Sequence, residues 1–167
     1  MSQYVPPMEE PKWSQAELEE AVRLAVLAAA DPAIDDARIL AHARAPHAYL
    51  ALVAQTADAT RALISVVTHL DGKVEPFPLA TWIPTDKADR FVAQGRGWWP
   101  RPETPRWFWT VGHVSTTVDT VNAKFDGRTE VIPVGADGWF AHLLEGDDHS
   151  TQATITATID GIVSRLG

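Results

Sequence analysis

The sequence predicts an α+β fold in which two N-terminal helices precede an antiparallel β-sandwich-like meander. Three observations point there. A helical apolar period behind a capping signal occupies the early chain, Asp-Gly pairs recur through the later chain, and strict alternation marks the C-terminal third. The 167 residues suffice for one domain with its own core and fall short of two ordinary ones.

Residues 1–12, with Pro6, Pro7 and Pro11, read as an extended arm, and 13–167 as a single domain, helical over 13–46 and mainly β over 47–167. Ser14-x-x-Glu17 is a capping box that opens the first helix. Leu18, Val22, Ala25 and Ala29 continue it as an apolar stripe, and Asp31-Pro32 ends it. Pro32 also suits the first turn of a second helix, Ala33–Ala43, with Ile34, Ala37 and Leu40 on one side. After Pro46 the continuous apolar run Tyr49–Gln55 reads as a buried strand.

Beyond residue 61 the pattern is β. Leu63–Leu70 and Val74–Trp82 flank Asp71-Gly72 as a hairpin, and Pro76 and Pro78 confine its second strand to an edge or end it early. Asp126-Gly127, Asp137-Gly138 and Asp160-Gly161 supply further turns of the same chemistry. Val111–Val134, Trp139–Leu144, Gln152–Ile159 and Ile162–Leu166 then form the meander, with Ala153, Ile155, Ala157 and Ile159 on its buried face. With its Asp-Gly turns and the Gly138–Phe140 strand start, the stretch from Val111 onward resembles small β-sandwich modules of actinobacterial proteins. The resemblance implies a fold and carries no functional residues.

Composition removes several classes of function. There is no cysteine, which excludes disulfides, thiolate metal sites and cysteine nucleophiles. The net charge of −8 argues against nucleic acid and anionic membrane surfaces as partners. The N-terminal residues lack the basic and apolar regions of a secretory signal, so a cytoplasmic location is expected. Ten arginines against four lysines, with abundant alanine, suggest a bacterial or phage genome.

The charge is uneven: residues 1–40 carry eight acids against three bases, whereas 90–106 carry four arginines against Glu103 alone. That basic stretch contains GRGWWPRPETPRWFW, Gly95–Trp109, with four of the seven tryptophans. Rigid aromatic faces and guanidinium groups beside prolines make it the candidate recognition surface, with Trp98, Trp99, Arg101, Arg96, Arg106 and Trp107 as binding residues. Trp107 and Trp109 are expected to anchor the stretch, leaving Trp98 and Trp99 with Arg101 toward a partner.

No catalytic or metal set emerges. Of the six histidines, His42 and His47 are split by Pro46, and only His113 and His142 lie on expected strands able to bring two ligands together. Glu145–His149 lacks the spacing of a calcium loop, and there is no nucleophile elbow or phosphate loop. The expectation is a non-catalytic binding or accessory subunit of a bacterial or phage assembly, acting on a protein partner or a second copy without a cofactor. A carbohydrate-binding module is the alternative, and a small metal-dependent enzyme using His113 and His142 the third reading.

Overall fold

The computed structural model describes residues 13–29, 37–55, 58–84, 91–98, 106–115, 118, 120–146 and 153–166. Among them stand one helix and eleven strands in three antiparallel sheets. The expected arm at 1–12 lies outside the described residues.

The helix α1, Gln15–Ala29, forms where its signals place it. The Glu17 amide donates to Ser14 Oγ and the Ser14 amide donates back to Glu17 Oε1, both at 3.1 Å. This reciprocal cap satisfies two otherwise orphaned donors, and such a capping side chain is worth about 1 kcal/mol. Ala21, Ala25 and Ala29, four residues apart, are buried, and their small size lets the helix lie close on a sheet.

The expected second helix does not form. Ala37–Ala45 is the strand β1, so the fold is mostly β and not a pair of helices with a sandwich. The sequence from Ala33 to Ala45 satisfies both periods: Ile34, Ala37 and Leu40 suit a helix, yet Ala41, Ala43 and Ala45 alternate with His42 and Arg44. Tertiary pairing chose the second, because β1 ladders antiparallel with β2, Ala48–Gln55, around a register shift between Ile39 and Ala41. The apolar run at Tyr49–Gln55 is accordingly a strand.

β3 (Asp58–Leu70) and β4 (Lys73–Pro84) complete a meander ordered β1-β2-β3-β4. Pro76 and Pro78 therefore sit on an edge strand, where a missing N–H costs no ladder bond on the outer side. One face of this sheet carries Tyr49, Ala51, Val53, Leu63 and Val67 against α1. The other face carries Leu50, Leu52, Ile64 and Val66 toward a second sheet.

That second sheet is the middle layer, ordered β5 (Phe91–Trp98), β6 (Arg106–His113) and β9 (Trp139–Gly146). Its strands are apolar on both faces. Trp107, Trp109, Val111, Trp139 and Leu143 meet the helix-backed sheet, while Phe108 and Phe140 meet the far sheet. The far sheet is ordered β11-β10-β7-β8, from β7 (Thr120–Phe125), β8 (Arg128–Ile132), β10 (Thr154–Ile159) and β11 (Ile162–Arg165). The C-terminal half is thus no simple meander, because the chain leaves the middle sheet after β6, returns for β9 and leaves again. Asp-Gly turns fix hairpins, but they say nothing about which strand lies beside which hairpin.

Three of the four Asp-Gly pairs close hairpins with both residues at positive φ: Asp71 and Gly72 (52° and 73°), Asp126 and Gly127 (47° and 71°), Asp160 and Gly161 (50° and 80°). The fourth differs. Only Gly138 is positive, at 85°, and it ends a turn where a side chain would meet the Val114 carbonyl.

Each joint between layers carries a histidine–glutamate pair. His69 of β3 holds Glu17 of α1. His47, in the β1–β2 turn, places Nδ1 2.9 Å from Glu145 Oε2 of β9. His142 of β9 places Nε2 3.0 Å from Glu130 Oε2 of β8.

Candidate functional site

The GRGWW glycines have a packing explanation. In the β5–β6 ladder Gly95 faces Trp109 and Gly97 faces Trp107. A Cβ at Gly95 would stand 2.3 Å from the Trp109 ring, and one at Gly97 would stand 2.2 Å from the Trp107 ring. The indoles lie across bare backbone, a cross-strand arrangement that needs glycine beneath the aromatic ring. Phe77 closes on Trp107 edge-on, with centroids 5.0 Å apart and planes at 90°.

The sequence-derived recognition residues consequently separate. Trp107 is buried between the helix-backed and middle sheets. Arg96 is exposed and carries its guanidinium 6.0 Å from the Phe108 ring centre, on the opposite face. Trp98 ends β5 opposite Arg106, which is half-buried. Trp99 and Arg101 lie outside the described residues. By the register of the ladder, positions 96, 98 and 106 share one face of β5–β6 and Trp107 lies on the other.

His113 and His142 do not come together either. In the β6–β9 ladder His113 pairs with Trp139 and His142 with Thr110, which puts the two imidazoles on opposite faces of the middle sheet. His113 Nε2 lies 2.9 Å from the Asp137 carbonyl, and no group of three potential metal ligands forms among the described residues.

A concave site exists elsewhere. β1, β8 and β9 are each the edge strand of a different sheet, and the three edges converge beside α1. Between them lies a cleft of about 670 Å³, within the range that takes small organic ligands. Leu18 and Val22 of α1, Ile39 and Ala43 of β1, and Ile132 and Leu143 of the other edges give it apolar walls. Among the described residues its polar groups are His42, Arg44, Tyr49, Glu130 and His142.

Those groups divide into two sets. On the β8–β9 side, Glu130 grips His142 Nε2, and the His142 side chain is only 9% exposed. His142 Nδ1 is enclosed and has no hydrogen-bond partner among the described residues, a state that costs about 1–3 kcal/mol. On the β1–β2 side, His42 stacks on Tyr49 with planes 21° apart and centroids at 6.0 Å. Burial pushes the Tyr49 phenol up to about 12, so it stays a neutral donor across the ordinary pH range. Arg44 faces Tyr49 across the ladder and makes no hydrogen bond or ion pair with the described residues.

The chain matches no family model, no curated protein and no solved structure. The likeness of its C-terminal third to small β-sandwich modules therefore rests on the turns alone. The cleft is not legible in the sequence because a helix over Ala33–Ala43 stops short of Arg44 and leaves it with no shared face with His42. As a strand they stand two apart on one side. Glu130 carries no signal beyond its place near an Asp-Gly turn, since its partner lies twelve residues away.

Among the described residues no helix is long and apolar enough to cross a membrane.

Proposed function

We propose that this chain is a non-catalytic binding protein whose recognition site is the cleft where the three sheet edges meet. The observation that carries the reading is the cleft itself: a largely apolar hollow of about 670 Å³ with polar groups on two sides. This retains the binding reading of the sequence and moves its site from the Trp/Arg stretch to β1, β8 and β9.

A binding role suits these groups better than catalysis. Among the described residues, the lining contains no serine, threonine or cysteine to act as a nucleophile. Among the described lining residues, the acid–histidine couple spends His142 Nε2 on Glu130 and encloses Nδ1, so neither nitrogen of His142 is presented to a substrate proton.

The test is a small-molecule fragment screen read by thermal shift, with backbone-amide NMR to place the hits. Hits are expected to move the amides of residues 42–44 and 141–143. Val22→Trp, which grows a ring from α1 into the cleft, should abolish them. Hits that ignore this variant, or no hit at the cleft from the whole library, would remove the reading.

A further inference from the structure

Resting on the cleft as the binding site, we infer that its ligand is an apolar molecule carrying one carboxylate, held through Arg44. The inference comes from how the surrounding charges are paired. Three of the elements that border the cleft send an acid to a neighbouring element, and each of these acids is taken. Glu17 of α1 is bound by His69, Glu130 of β8 by His142, and Glu145 of β9 by His47. Among the described residues of the lining the one arginine or lysine is Arg44, which is exposed and has no acidic partner among the described residues.

The guanidinium is planar and always charged, and it matches a carboxylate with two parallel N–H donors. Beside it the stacked His42 and Tyr49 rings form a flat polar shoulder. Deeper in, Ile39, Ile132 and Leu143 offer only hydrocarbon. A molecule that places its charge at Arg44 and its chain along these residues satisfies the cation and buries apolar surface together. The protein carries a net charge of −8, so an anion is repelled at long range and must be held by a local contact. Selectivity therefore belongs to Arg44 and not to the field of the molecule.

The experiment compares octanoate, octanol and octylammonium, which share a chain and differ in head group, by calorimetric titration with amide NMR to locate them. Octanoate is expected to bind at residues 42–44 about tenfold more tightly than either companion, the scale of one charge-assisted contact. Arg44→Gln should bring octanoate down to the level of octanol, and Arg44→Lys should keep much of the preference. Arg44 is exposed on an edge strand, so neither variant threatens the fold. Equal binding of all three at the cleft overturns the carboxylate inference and leaves the cleft as a site. Preference for octylammonium also overturns it and makes Glu130 the determinant. Binding of none of the three at the cleft overturns it as well, and only the fragment screen then decides whether the cleft binds anything.

Discussion

At the scale of residues, the fold turns on where side chains are missing. Gly97 and Gly72 show two different reasons for glycine. Gly97 lies beneath the Trp107 indole, 2.2 Å from where its Cβ would be, so Gly97→Ala must displace a buried ring or push β5 away from β6. Such overpacking costs about 1–3 kcal/mol, and the enclosed site argues for the upper end. Gly72 has nothing within 4 Å but sits at a φ of 73°, so Gly72→Ala incurs only the left-handed backbone penalty of about 1 kcal/mol. Urea denaturation of the two variants should rank Gly97→Ala as clearly the less stable. Equal midpoints would mean that the indole does not lie on that backbone. The GRG pair is visible in the sequence, but its reason is not, because the partners of Gly95 and Gly97 lie fourteen and ten residues on.

At the scale of elements, α1 is held by its cap, by its apolar packing on the sheet and by the Glu17–His69 pair. The Ser14 amide beside Glu17 is the main cause holding that carboxyl below its ordinary value of 4.5, followed by His69 and the Ser14 hydroxyl. A carboxyl lowered by folding contributes stability above 4.5, and the contribution is lost as pH falls through the folded value. Melting followed from pH 6 to pH 3 should show this loss in the wild type and a shallower one in Glu17→Gln. Parallel curves would count against the pair. The capping box makes α1 legible because its signal is local, complete within four residues. β1 is illegible for the opposite reason. ARILAHARA fits a helix and a strand alike, and only the ladder to β2 decides between them. The cleft is lost with it, since His42 and Arg44 share a face only when the segment is extended.

At the scale of the molecule, three sheets and one helix stack so that the middle sheet is covered on both sides. β6 is its central strand, and Trp107 through Gly112 are all buried. Its amides should be among the slowest to exchange with solvent, and those of the exposed edge strand β11 among the fastest. Comparable rates for β6 and β11 would contradict the layered arrangement. The number of hairpins can be read from Asp-Gly pairs, but the order β11-β10-β7-β8 cannot, because that pairing joins segments about thirty residues apart. The glycine–indole contacts of β5 and β6 reach further still. They make positions 97 and 107 a single heritable unit. A larger residue at 97 is admissible only in a lineage that has already surrendered the tryptophan at 107. Descendants of this chain should therefore keep both or exchange both, and the record of that bargain would be read in pairs of changes rather than in single ones.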